Sequence, residues 1–248
     1  MALLGNYGEI TDFIPMEYQE KYNFVNKRTA LNIVHNPPSL EKLEEAKKRL
    51  KYEELFSFMF KINYLKLENK KKNSGIKKNI DIGKIEEFIR TLPFELTSDQ
   101  KTALDDILAD LTAEGKMNRL LQGDVGSGKT IVAFLSIYAN YLAGYQSALM
   151  APTEILAIQH FNNMRALFKN TDLRIALLTG STSKKDKDRI LSNLAKNEVD
   201  VIIGTHSLIQ EEVEYFNLGI VITDEQHRFG VNQRANLQNK GKRPDTLY

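Results

Sequence analysis

The stretch Gly123-Asp124-Val125-Gly126-Ser127-Gly128-Lys129-Thr130 fits the pattern G-x-x-x-x-G-K-[ST], and few folds accommodate it. Lacking a Cβ, Gly123, Gly126 and Gly128 let the backbone turn so tightly that successive N–H groups can converge on one anion. Leu120-Leu121-Gln122 before it reads as a strand, and Ile131, Val132, Leu135 and Ala139 after it recur at helical spacing. A loop between a strand end and a helix start sets backbone donors and the positive helix end at the same point. Lys129 is then expected to reach the β- and γ-phosphates of a nucleoside triphosphate, and the Thr130 hydroxyl to ligate Mg²⁺. A glycine-rich turn capping an ordinary helix is the alternative.

Composition limits the classes of protein this can be. The 248 residues suffice for one large domain with an attached piece, and 42% hydrophobic content allows a substantial core. No apolar run approaches the roughly 18 residues of a membrane span, and Met1 to Glu20 lack the layout of a secretory signal. Cysteine is absent, which excludes disulfides and thiolate metal sites. His35, His160, His206 and His227 lie far apart without ligand spacing. The net charge of +2 does not announce a nucleic-acid binder. Residues 1–90 carry 17 basic and 13 acidic side chains, the remainder 17 and 19. Lys70, Lys71, Lys72, Lys77 and Lys78 read as a solvated loop or, alternatively, a phosphate-contacting one.

Two unequal parts follow from the patterning. After Pro37-Pro38-Ser39, a helical rhythm runs from Leu40 to about Glu68, richer around Leu55 to Phe60 than one helix face requires. That surplus predicts packing against a larger body. A short helix is expected near Ile85 to Arg90, before Pro93. From Thr97 helices and strands alternate. Strands are predicted at 119–122, 148–151, 174–178, 199–204 and 219–223, with helices at 97–114, 129–143, 154–168 and 184–195. This alternation predicts an α/β fold, a parallel sheet with helices on both faces preceded by a helical segment, with ligands beyond the carboxyl ends of the strands. The expected parts are 1–92 and 93–248.

The strand pattern Leu218 to Thr223 ends in Asp224-Glu225-Gln226-His227. Asp224 there suits a Mg²⁺-holding carboxylate, a hard oxygen ligand, and Glu225 a base that polarises the attacking water. Adjacent carboxylates at a strand end can also be a mere turn.

These stretches together resemble the superfamily 2 helicases, and within them the RecG family of bacterial branched-DNA translocases. The likeness is carried by Pro93-Phe94, Leu96-Thr97 and Gln100, by Gly123 to Thr130, by Met150-Ala151-Pro152-Thr153-Glu154, by Leu178-Thr179-Gly180, by Gly204-Thr205-His206, and by Asp224 to Val231. His35-Asn36-Pro37-Pro38 and Arg49 to Leu55 extend it over nearly the whole chain. Transcription-repair coupling factors are similar around Arg228-Phe229-Gly230-Val231, but Ser127, Gln226 and Glu154 side with the RecG family. The resemblance implies a RecA-like P-loop fold, ATP and Mg²⁺ as cofactors, and hydrolysis coupled to movement on branched or duplex DNA in repair and recombination. It implies a bacterial cytoplasmic, nucleoid-associated setting and no membrane partner. Phe94 and Gln100 would lie against and read the adenine, although Thr97-x-x-Gln100 is equally a capping box. Gly123, Asp124, Val125, Gly126, Ser127, Gly128, Lys129 and Thr130 would bind the triphosphate, and Thr130 and Asp224 the metal. Lys129 and Glu225 would be catalytic, and Gln226 and His227 would couple the nucleotide site to the next motif. Pro152, Thr153, Gly180, Thr205 and His206 would line the DNA path, contacting phosphates without reading sequence.

The resemblance also implies parts beyond Met1 and Tyr248. The family's wedge domain would precede the chain, and a second motor domain, with arginines reaching across the cleft, would follow. Such an arginine is worth roughly 10³–10⁵ in rate, so the expectation is Mg²⁺-ATP binding with poor turnover by these residues alone. A nucleotide-dependent DNA-binding module without catalysis and a small-molecule kinase remain as alternatives; no acceptor pocket or lid for the latter is visible in the sequence.

Overall fold

The computed structural model describes residues 10–72, 75–124 and 126–248, and the chain divides into two compact units, 1–72 and 73–248. The expected boundary at residue 92 differs from this division. Helix α4 (Ile82–Arg90) belongs with the second unit because Phe88 stacks on Phe168, 4.5 Å between ring centroids and nearly coplanar, and tilts against Tyr138.

The first unit contains α1 (Met16–Lys21), α2 (Lys27–His35) and the 33-residue α3 (Leu40–Lys72). Asn26 caps α2 by accepting from the Thr29 N–H at 2.9 Å. Ala30 and Ala46, both fully buried, provide small side chains between α2 and α3. Around them lies buried charge. Arg49 donates 2.8 Å to Glu53 and also to Asp12, Lys27 reaches Glu53 at 2.6 Å, and the Lys27 N–H bonds Asp12. Burial pushes the Asp12 carboxyl up, but the backbone N–H groups of Lys27 and Ile14, with Arg49, outweigh that and hold it below its ordinary value. The two cations face two carboxylates, the condition under which buried charge is tolerated. Leu55, Phe58, Met59 and Phe60, the surplus apolar residues of α3, are exposed among the described residues.

In the second unit, α5 (Ser98–Thr112), α6 (Lys129–Leu142), α7 (Glu154–Leu167), α8 (Lys184–Ala195) and α9 (Val231–Gln238) surround a six-stranded sheet. Its strands are β1 (Asn118–Arg119), β2 (Gln146–Met150), β3 (Ile175–Leu178), β4 (Val201–Gly204), β5 (Leu218–Thr223) and β6 (Asp245–Leu247). All pairings are parallel, in the order β1-β6-β5-β2-β4-β3. Side chains alternate faces along a strand. Leu149, Val201, Ile203, Ile220 and Ile222 therefore join α5, α6 and α7 on one side. Ala148, Met150, Ile202 and Val221 meet Leu194 of α8 and Leu237 of α9 on the other. Both faces are covered, which is why these strands read as continuous apolar runs.

Most predicted elements recur with shifted ends. The strand expected at 119–122 is assigned only at Asn118–Arg119, yet its ladder continues: the Tyr248 N–H donates to Arg119 and the Leu121 N–H to Tyr248, at 3.0 and 2.7 Å. Helix α9 was not expected; its sequence is polar and its start is a glycine, with the Gly230 N–H bonded to the Gln233 side chain at 3.1 Å.

Lys78 departs from both readings of the lysine cluster. It is 2% exposed, donates 2.8 Å to the Gly219 carbonyl, and pairs with Asp245, whose other oxygen accepts from the Met117 N–H at 2.6 Å. One ammonium thereby ties together the beginnings of β5 and β6 and the residue before β1. Lys77 is exposed, while the side chains of Lys70, Lys71 and Lys72 lie outside the description.

A candidate nucleotide cleft and a separate polar groove

Because every strand runs the same way, the loops after β1, β2, β3, β4 and β5 emerge at one end of the sheet. The loop after β1 turns through left-handed backbone at Gly126 (φ 84°) and Gly128 (φ 76°) before entering α6. A side chain at Gly128 would be strained by that φ, and its Cβ would come within 2.3 Å of the Gln100 amide nitrogen. Lys129 folds back over the loop, donating to the carbonyls of Gly123 and Asp124 at 2.6 and 2.8 Å. Val125 lies outside the described residues.

Both polar atoms of the Gln100 carboxamide make structural hydrogen bonds. Its oxygen accepts from the Thr97 N–H at 2.9 Å, completing the capping box of α5, and its nitrogen donates to the Ser127 carbonyl at 3.0 Å. It thus clamps the glycine-rich loop to α5. Phe94 is 47% exposed and lines a separate shallow groove with Pro93 and Leu96.

The acidic turn is placed by β5. The Asp224 N–H still donates to Met150 of β2, at 3.0 Å, so the carboxylate projects from the last rung of the sheet. A hydrogen bond from His160, with Nε2 2.8 Å from Asp224 Oδ2, holds the Asp224 carboxyl below its ordinary range against the opposing effect of burial. Glu225 has left-handed backbone (φ 46°, ψ 54°), a conformation that non-glycine residues adopt chiefly under local constraint. Its carboxylate meets Arg228 Nε at 2.8 Å. Arg234 on α9 donates to the carbonyls of Gln226 and Phe229 at 3.0 and 2.7 Å and lies over the Tyr248 ring. The turn is therefore held from behind as well as from its strand.

Loop and turn face one cleft of about 570 Å³, lined among others by Gly123, Lys129, Thr130, Asp224, Glu225 and Gln226. His227 also lines it. Thr130 and Asp224 offer a hydroxyl and an ionised carboxylate, both hard oxygen donors. Among the described residues no cluster of three or more His, Asp or Glu is arranged to hold a metal by itself. Two protein oxygens with room for others suit Mg²⁺, which keeps waters and shares its coordination with substrate phosphates.

The remaining predicted residues lie along the same end of the sheet. Thr153 caps α7 by accepting from the Leu156 N–H at 3.3 Å, next to the half-buried Pro152. Gly180 and His206 are exposed and line a groove of about 500 Å³ with Lys184 and Lys187. Thr205 is 5% exposed, its hydroxyl turned toward Ser207, which in turn donates 2.6 Å to Leu178. Glu154 accepts from Thr179 at 2.9 Å and from Ser181, and these hydroxyls, Ser181 foremost, lower its pKa. The carboxylate gathers the loop after β3.

Sequence reasoning passed over His160, Arg228 and Arg234. Arg228 sits one turn from Glu225, and an i,i+3 opposite-charge pair was a readable signal. The partner of His160 is 64 residues away, and no local pattern announces it.

Comparison with known proteins places this geometry among relatives. A model of the DEAD/DEAH box helicases matches residues 97–245. The ATP-dependent DNA helicase RecG of Streptococcus pneumoniae is 48% identical over 238 residues, 96% of this chain and 35% of that protein. That of Bacillus subtilis is 45% identical over 247 residues, 100% of this chain and 36% of that protein. A structure of RecG bound to a three-way DNA junction superposes with a TM-score of 0.79 at 46% identity, covering 96% of this chain and 32% of that one. A hypothetical ATP-dependent RNA helicase from Sulfolobus tokodaii, 21% identical over 66% of this chain and 49% of its own, shares the fold with a TM-score of 0.53. The chain spans about a third of the length of the RecG relatives it matches.

Proposed function

The chain belongs to the DEAD/DEAH box helicase family, and from that premise we propose that it is the first motor domain, with its preceding helices, of a RecG-type ATP-dependent translocase that remodels branched DNA in repair and recombination. The observation that carries this reading is the convergence of Lys129, Thr130, Asp224 and Glu225 on one cleft, in a chain 46% identical to a RecG solved on a three-way DNA junction.

Mg²⁺-ATP is the proposed ligand. Lys129 exchanges its carbonyl partners for β- and γ-phosphate oxygens, and the N–H groups of the loop and of α6's first turn receive the rest of the triphosphate. Thr130 and Asp224 would hold Mg²⁺, which when bound neutralises charge developing on the phosphates. Glu225 orients and deprotonates the attacking water once it leaves Arg228. Gln100 is assigned to shaping the loop, and its second N–H and second oxygen lone pair leave adenine contact open to it as well. Gln226 and His227, which also line the cleft, are assigned to coupling it to the next motif of the motor. Pro152, Thr153, Gly180, Thr205 and His206 lie along the proposed DNA path, and Lys184 and Lys187 add positive charge beside it.

The ATP-dependent DNA helicases that the chain resembles are about three times as long. We therefore assign these residues to nucleotide binding and to part of the catalytic machinery, with a second motor domain and a wedge domain as partners. None of the described helices is long and apolar enough to cross a membrane; a place on bacterial cytoplasmic DNA is proposed from the RecG likeness alone. The test is ATP turnover by this chain with and without forked DNA, with Lys129→Ala as the blank. Measurable ATP binding with little turnover on either substrate supports the reading; robust fork-stimulated turnover would show that the cleft is complete without a second domain.

A further inference from the structure

His160 is a buried polar side chain that the roles above leave unused. It lies on the sheet-facing side of α7, 9% exposed, with its ring edge-on to Phe134 of α6 at 6.2 Å and 78°. Its Nε2 is 2.8 Å from Asp224 Oδ2, while Nδ1 is buried without a partner among the described residues. An ionised carboxylate can only accept, so Nε2 carries the proton of this bond. A carboxylate at a strand end is otherwise free to rotate about its last bond. The histidine fixes that rotation, and Phe134, on the helix that the phosphate loop opens, fixes the histidine.

We propose that His160 is a positioning residue for divalent-cation binding: donating from Nε2 to Asp224 Oδ2, it sets the orientation in which the carboxylate meets a Mg²⁺ shared with the nucleotide. This rests on the reading of Asp224 as the metal carboxylate. The chemistry is that of an outer partner orienting a ligand, whose loss typically costs about 10–100-fold in metal affinity.

The test is a Mg²⁺ titration of the chain at fixed fluorescent ATP analogue, read as the half-saturating Mg²⁺ concentration, beside the analogue's affinity in EDTA. His160→Leu keeps an apolar body and removes the donor; it should raise half-saturation by about tenfold or more and leave the metal-free affinity unchanged. His160→Gln, whose amide reaches about as far as Nε2, should restore most of the loss. Half-saturation unchanged in His160→Leu, or an equal loss of metal-free affinity, would overturn the proposal, the second pointing to packing alone. Should His160→Leu fail to fold, nitrogen-15 spectra of the unsubstituted chain decide: a neutral ring protonated at Nδ1 rather than Nε2 contradicts it. Asp224→Asn separates the two levels of the argument. If it leaves the Mg²⁺ requirement unchanged, the metal reading of Asp224 fails; if it raises the requirement and His160→Leu does not, only the role of His160 fails.

Discussion

The two halves of the cleft are built by different means. The phosphate-loop half is a backbone object: left-handed turns at Gly126 and Gly128, a lysine folded onto carbonyls five and six residues before it, and a helix start. The acidic half is a side-chain object. Asp224 is oriented by His160 from α7, Glu225 is engaged by Arg228, and the turn's carbonyls are gripped by Arg234 from α9. A site made from backbone carries its instructions in contiguous residues. One made from oriented side chains depends on partners that the fold delivers from elsewhere. Substitutions in the first half should therefore damage binding through local shape, and those in the second should damage chemistry or metal use with little change of shape.

The largest effect expected from this contrast is at Glu225. Glu225→Gln should lower whatever hydrolysis the motor shows by roughly 10²–10⁴ while ATP affinity, measured calorimetrically, stays unchanged. An affinity loss of similar size would make the acidic half a binding element and erase the distinction.

Next is the buried ammonium that joins the halves. Strand β6 lies between β1 and β5, and Lys78 ties their surroundings together through Asp245 and Gly219. Lys78→Met strands a buried carboxylate and should cost about 3–5 kcal/mol in a urea melt; a cost below about 1 kcal/mol would show that the halves hold together without it.

Gly128→Ala adds left-handed strain of about 1–2 kcal/mol, and its Cβ meets the Gln100 amide. Nucleotide binding should fall more than thermal stability does. Equal binding by this variant would mean that the loop's shape is not what receives phosphate. The smallest effect belongs to Arg228. Its pair with Glu225 is largely exposed, 57% and 39%, so Arg228→Ala should change stability by no more than about 0.5 kcal/mol while freeing the Glu225 carboxylate.

The same contrast explains what could be read from the sequence. The glycine-rich loop, the strand ends and the parallel α/β layering were legible because each is written in local residues and in alternation of apolar runs. The acids Asp224 and Glu225 were legible as a pair at a strand end, but the orientation of Asp224 was not, since His160 stands 64 residues away. Lys78 looked like one lysine among five; only the fold shows it 2% exposed against Asp245, 167 residues distant. The apolar surplus of α3 is legible as composition, but a hydrophobic pattern does not say what covers it: Leu55 and Phe58 to Phe60 are exposed among the described residues. Helix α9 was missed because eight mostly polar residues show little periodicity, and its N-terminal grip is a glycine bonded by a glutamine.

The central claim, that the loop and the acidic turn form one Mg²⁺-nucleotide site, is tested most directly by titrating the chain with a fluorescent ATP analogue in Mg²⁺ and in EDTA, beside Lys129→Ala. The account predicts tighter binding with Mg²⁺ and a loss of roughly 10- to 100-fold in the variant, the worth of about 1.5–3 kcal/mol of charged hydrogen bonding. Equal affinity in the variant, or indifference to Mg²⁺, would contradict it.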